Sequence, residues 1–246
     1  MKIDLNCDMG ESFGRYKLGV DAAVMSFITS ANIACGLHAG DPVVMRSTIQ
    51  LARKHGVAVG AHPGWPDLQG FGRREMNLSP EEVEAFVLYQ IGALAAFAKT
   101  EGAGLRHVKP HGALYNQAAK DHTLAISIAR AVQRFDKDLI LVGLAGSALI
   151  AAGLELGLKV ANEGFPDRRY NPDGTLLSRK QANALLESPE EVAAHAVVLA
   201  RDGIEFASQR VQVDTLCLHG DNLNAAENAA MVRSALEKSG IEIKAL

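Results

Sequence analysis

Seven short apolar runs, each followed by an amphipathic stretch or a long polar loop, recur from one end of the chain to the other, at 2–6, 29–34, 57–61, 105–109, 139–144, 158–162 and 213–218. Compact runs of this kind, bounded by Gly or polar residues, read as strands buried on both faces, the pattern of a parallel sheet. Parallel strands require crossover connections, and the intervening stretches carry helix-start signals. Asp41 followed by Pro42 offers an N-cap with Pro at the first helical position. Ser79 and Ser188 are each followed by Pro, Glu and Glu, so the second Glu stands three residues after the Ser and can close a capping box. Helices are predicted near 42–55, 80–101, 121–135, 147–156, 189–207 and 223–239. The alternation predicts an α/β protein, a TIM-like (β/α) barrel with about seven parallel strands; an open doubly wound sheet is the second choice. No linker, low-complexity run or repeat divides residues 1–246, so a single domain is expected.

Charge narrows the partners. The formal net charge is -3 and the 25 Lys and Arg residues are scattered, so neither nucleic acid nor an anionic membrane is expected as a partner. Three cysteines, Cys7, Cys35 and Cys217, without C-x-x-C spacing, argue against a disulfide framework and for a reducing, cytoplasmic location. The opening MKIDLNCDMGES lacks the apolar core of a signal peptide. Residues 139–158 are long enough for a spanning helix of roughly 20 residues. Glycines and Glu155 interrupt them, and the opening LILVGL reads better as a buried strand leading into a helix.

In a parallel barrel or doubly wound sheet the active site lies at the carboxyl ends of the strands. Six of the seven strand ends carry His, Asp, Glu, Lys or Arg beside Gly or Pro: DLNCDMGES, NIACGLHAGD, GAHPGWPD, HVKPHGALYN, NEGFPDRRY and LHGDN. His55, His122 and His195 fall in predicted helices or helix starts and read as structural, whereas His38, His62, His107, His111 and His219 gather at the strand ends. Alternation puts Asn6 and Asp8 on one strand face, and His107 and Lys109 likewise on one face, so both pairs can point into the barrel mouth. A Lys109 near carboxylates such as Asp8 or Glu163 could polarise a carbonyl or move a proton; equally, it could only neutralise buried acids. Cys217 and His219 lie too close along one strand for the usual thiol–imidazole geometry. His107 and His111, with Asp8 and His38 or His62, supply ligand types suited to zinc, but Pro110 forbids the helix that would align residues i and i+4.

The motifs DLNCDMGE, SANIACGLHAGD, GAHPGWPD, FGRREM, LYQIGAL, HVKPHGALYN and CLHGDN, in this order and spacing, resemble the LamB/YcsF family over essentially the whole chain. The resemblance implies a barrel like those of the glycoside hydrolase and polysaccharide deacetylase superfamily. It also implies ATP-dependent opening of the lactam 5-oxo-L-proline to L-glutamate, with ATP as co-substrate and two partner subunits of a 5-oxoprolinase, B and C. By motif, it gives Asp8, His38, His62, Lys109, His111 and Glu163 catalytic positions and Asn6, Arg168, His219 and Asp221 substrate-binding positions. The need for a divalent metal stays open. NEGFPDRRY departs from the family's common form at Pro166 and Arg169. No G-x-x-x-x-G-K-[ST] loop is present, so activation by phosphate is assigned to the partners and ring opening to this chain. Two rivals remain: a metal-dependent deacetylase or amidohydrolase acting on a sugar, and a non-catalytic 5-oxoproline-binding subunit.

Overall fold

A computed structural model describes residues 1–177, 181–186, 188–206, 209–218 and 225–246. In chain order the elements are β1 (Lys2–Met9), α1 (Asp21–Val24) with a 3-10 turn (Met25–Phe27), β2 (Ser30–Ala34), α2 (Pro42–His55), β3 (Ala58–His62) and α3 (Pro80–Thr100). They continue with β4 (Leu105–Val108), α4 (Gly112–Ala118), α5 (His122–Phe135), β5 (Ile140–Leu144), α6 (Ala148–Glu155) and β6 (Lys159–Gly164). Last come α7 (Pro189–Asp202), β7 (Ile204–Phe206), β8 (Gln209–Val211), β9 (Thr215–Leu218), α8 (Ala225–Lys238) and β10 (Glu242–Ile243). The expected caps form. Asp41 accepts from the Val43 and Val44 amides, and Ser79 and Glu82 make a full capping box.

Seven strands close a parallel barrel in the order β1-β2-β3-β4-β5-β6-β9, with β9 pairing back onto β1. All seven runs expected from the sequence are these strands. The short β10 extends the sheet outside the ring, pairing with β1 at Lys2 and Ile3. Residues 139–158 are β5, α6 and the turn after it, not a membrane span.

The barrel interior is partly polar. Asp4, Asn6, Ser30, Asn32, His107 and Thr215 are all buried. Asp4 accepts hydrogen bonds from the hydroxyls of Ser30 (2.6 Å), Thr29 (2.7 Å) and Thr215 (2.5 Å). Burial raises the Asp4 pKa; the three hydroxyls oppose that rise without cancelling it. Above Asp4, the Asn32 amide donates to Asn6 Oδ1 (2.7 Å) and Asp8 Oδ1 (2.9 Å), while His107 Nε2 meets Asn32 Oδ1 at 2.7 Å. A ladder of polar side chains thus rises through the barrel toward the carboxyl ends of its strands.

One local expectation is corrected. The helix drawn to residue 207 ends at Asp202, because Gly203 takes φ 71°, and the following residues form the β7–β8 hairpin. A Cβ at Gly203 would fall 2.2 Å from the Val211 carbonyl oxygen, so that turn is closed to larger residues. Past Pro110, Gly112, at φ 55°, opens the two-turn helix α4, which was not among the helices expected from the sequence. The expected start of the last helix, at 223, lies outside the described residues.

Candidate active site

Each of the first four strands, or the loop just past it, delivers polar side chains to one end of the barrel. β1 brings Asn6 and Asp8, with Glu11 just beyond; the β2 loop brings His38, β3 ends on His62, and β4 runs into Lys109 and His111. A β-bulge between β3 and β4 sets the aim of the last pair: one step from Val59 to Gly60 faces two steps from Leu105 to His107. The room for the bulge comes from Gly60, where a Cβ would lie 2.1 Å from His107 Nε2.

Lys109 is the hub. Its ammonium donates to Glu163 Oε1 at 2.7 Å, and at 3.1 Å each to Asp8 Oδ1, Asn6 Oδ1 and Cys217 Sγ. The Phe165 ring lies 5.6 Å from it. Burial alone would lower the Lys109 pKa, but the Asp8 and Glu163 carboxylates outweigh it and hold the amine charged, well above its usual range. Burial likewise pushes Asp8 upward, and His62 and Lys109 more than reverse that, keeping its carboxylate well below the usual range. The two acids differ in access: the Asp8 side chain is 22% exposed and that of Glu163 0%, so only Asp8 can meet a ligand directly. Burial raises the Cys217 thiol well above its ordinary value despite Lys109, which removes it as a nucleophile.

Beside this hub sits an imidazole cluster. His62 Nε2 lies 3.3 Å from Asp8 Oδ2, and His111 Nδ1 lies 3.0 Å from His62 Nε2 and 3.5 Å from Glu11 Oε1. His38 stacks on His111 with ring centroids 3.8 Å apart. Glu11, His38, His62 and His111 each offer a ligand atom within 4.8 Å of the others. His107 does not join them, which corrects the expected pairing of 107 with 111. It turns down to Asn32, and burial, then Lys109, lower its pKa to about 3.

A cleft of about 740 Å³ opens over these groups, a volume within the range of small-molecule sites. Asp8, His62, Lys109 and His111 line it, with Arg73, Lys120, Phe165 and Arg168 around them. Asn6 and Glu163 lie buried beneath Lys109, and His38 is fully buried behind His111. Arg168 donates to the Leu177 carbonyl at 2.5 Å. Of the sequence-derived set, Asp8, His38, His62, Lys109, His111, Glu163 and Asn6 are brought together, and Arg168 joins the cleft wall. His219 and Asp221 lie outside the described residues. Glu11 was not singled out from the sequence, although it stands in the DMGES segment just past β1. A second depression of about 610 Å³, near Lys17, Val20 and Val44, lies apart from this cluster.

The fold and site define a parallel (β/α) barrel protein with an ionisable cleft at the carboxyl ends of its strands. The chain belongs to the LamB/YcsF family, whose profile matches residues 3–246. It is 55% identical to the A subunit of 5-oxoprolinase from Pyrococcus furiosus, over 99% of this chain and 97% of that protein. The crystal structure of the lactam utilization protein from Thermus thermophilus is similar with a TM-score of 0.93 and 49% identity, covering all of both chains. A polysaccharide deacetylase from Bacillus cereus shares the fold alone, with a TM-score of 0.50 and 12% identity over 100% of this chain and 92% of that one.

Proposed function

We propose that residues 1–246 form the ring-opening subunit of an ATP-dependent 5-oxoprolinase, converting 5-oxo-L-proline to L-glutamate together with subunits B and C. The observation that carries the reading is Lys109, charged and bracketed by Asp8 and Glu163 at the floor of a cleft sized for a small molecule. The names borne by the relatives support the same substrate and a multi-subunit assembly. A five-membered lactam is an unactivated amide, and phosphorylation of its oxygen by ATP would make the ring carbon electrophilic. One water adds at that carbon, the ring carbon–nitrogen bond breaks with the nitrogen taking a proton, and a second water cleaves the resulting acyl phosphate to release L-glutamate and inorganic phosphate beside the ADP already formed.

Asp8 is the base in this scheme. It is the more exposed member of the carboxylate pair and lines the cleft, where it can take a proton from the attacking water. Lys109 stabilises negative charge growing on the lactam oxygen or its phosphate, and Arg168 and Arg73 on the cleft wall suit the substrate's carboxylate. Glu163 and Asn6 act by holding Lys109. The test is glutamate release from 5-oxoproline and ATP by the assembled complex carrying Asp8→Asn. Loss of about 100-fold or more is expected, as for a lost general base; unimpaired turnover would remove Asp8 from the role.

A further inference from the structure

We propose that Glu11, His38, His62 and His111 form a binding site for one divalent cation of the zinc class. His62 Nδ1 lies 2.6 Å from the Lys109 carbonyl oxygen, which can only accept, so Nδ1 carries a hydrogen and Nε2 is the nitrogen that faces the cluster. His111 Nε2 lies 2.8 Å from the Phe71 carbonyl oxygen, so by the same reasoning its Nδ1 is the nitrogen that faces the cluster. These two nitrogens face each other at 3.0 Å. The nearest other groups are carboxylate oxygens: Asp8 Oδ2 at 3.3 Å from His62 Nε2 and Glu11 Oε1 at 3.5 Å from His111 Nδ1. Two imidazole nitrogens and two carboxylate oxygens converging on one place repel one another unless a proton or a metal ion sits among them.

His38 points to the same place independently. It is fully buried, and neither of its ring nitrogens has a hydrogen-bond partner. Leaving a buried polar group unsatisfied costs about 1–3 kcal/mol. Gly64 and Gly72 make the room for the ring, since a Cβ at Gly64 would lie 2.6 Å from its Nδ1 and one at Gly72 2.8 Å from the His38 Cβ. Its Nε2 is 3.8 Å from Glu11 Oε1, too far for a hydrogen bond and suited to two ligands of one ion. Tetrahedral ligands at about 2.0–2.1 Å from zinc stand about 3.3 Å apart. The four ligand atoms here lie within 4.8 Å of one another, so the widest pair would close in by up to about 1.5 Å around one ion. Three imidazoles and one carboxylate select zinc, cobalt or a similar borderline ion over magnesium or calcium. Four successive strand ends, β1 to β4, contribute one ligand each, so the site is built across neighbouring strands of the sheet.

Metal binding is measured here without lactam, ATP or partner subunits, so its outcome is separate from that of the proposed reaction. The full-length chain, stripped with a chelator, is titrated with zinc chloride by calorimetry. Bound metal is then counted after desalting, and cobalt(II) is added to a second sample for its absorption spectrum. One ion per chain and an intense tetrahedral cobalt spectrum are expected. Glu11→Gln and His38→Ala, each with an unchanged circular dichroism spectrum, should weaken zinc binding at least about 100-fold, beyond what loss of an outer partner causes. His195→Ala, outside the cluster, should bind as the parent does. The proposal is overturned if the parent chain retains neither zinc nor cobalt, which would leave a proton shared between His62 and His111. It is overturned equally if both folded ligand variants bind zinc as tightly as the parent.

Discussion

Lys109 meets more acceptors than its three protons can serve, and that excess decides what its removal would do. Lys109→Met keeps much of the stem but leaves Asp8 and Glu163 facing each other without a counter-charge. Breaking a buried pair in this way costs about 3–5 kcal/mol, so the melting temperature should fall whatever the role of the residue. The turnover of the protein that remains folded is the deciding measurement. Loss of a donor at a comparable oxyanion site is worth about 2.7–4 kcal/mol, so the assembled complex should lose roughly 100-fold or more in rate. Normal turnover per folded molecule would leave Lys109 a neutraliser of buried acids. Strand alternation made the inward aim of Asn6, Asp8, His107 and Lys109 legible in the sequence. It could not separate His107 from His111, because the division is made by the bulge opposite Gly60, and a bulge depends on the partner strand. Glu11 was illegible for a related reason: it lies past the end of β1, where no periodicity tells which way a side chain turns.

At the scale of elements, the segment between β3 and α3 carries the groups that hold His111. The Phe71 carbonyl accepts from His111 Nε2, and the Gly72 carbonyl accepts from the Ala113 amide at the start of α4. Asp67 anchors this segment, accepting from the Gly70 amide and from the Arg74 guanidinium. The Arg74 hydrogen bonds draw the Asp67 pKa down to about 2. A folded-state value below the unfolded carboxyl, about 3.9, means stability that is present above about pH 4 and lost as the pH falls toward 2. The melting temperature of the parent should therefore exceed that of Asp67→Asn at about pH 6, and the gap should narrow as the pH is lowered to about 2. A constant gap would show that the ion pair adds nothing through its charge. Gly60→Ala tests the bulge. The added methyl must displace a buried His107 and its bond to Asn32, an overpacking of about 1–3 kcal/mol, which a denaturant titration would read as a lower midpoint with an unchanged slope. Helix starts were legible here because Asp41, Ser79 and Ser188 announce them chemically. The β7–β8 hairpin was not, because the helical pattern of α7 runs up to Gly203 and only the backbone of Val211 excludes a side chain there.

The whole molecule is a closed ring in which β9 returns to β1, and closure brings residues distant in sequence into one cleft: Asp8 from β1, Lys109 after β4 and Glu163 from β6. The seven apolar runs made the ring legible; β10 was too short to register, and His219 and Asp221 lie outside the described residues. This architecture supplies acids, imidazoles and a buried ammonium, but the sequence contains no Gly-Lys dipeptide and hence no lysine-bearing phosphate loop. Opening an unactivated lactam needs coupling to a downhill step, and in the division of labour proposed here that activation belongs to the partner subunits. The purified chain, supplied with 5-oxoproline and ATP, should release little or no glutamate, and adding subunits B and C should restore turnover. The control is the order of addition: preincubating B and C with both substrates before adding this chain should give a burst of glutamate if they accumulate an activated ring. Robust turnover by the chain alone would overturn the division of labour and place phosphate activation in this barrel.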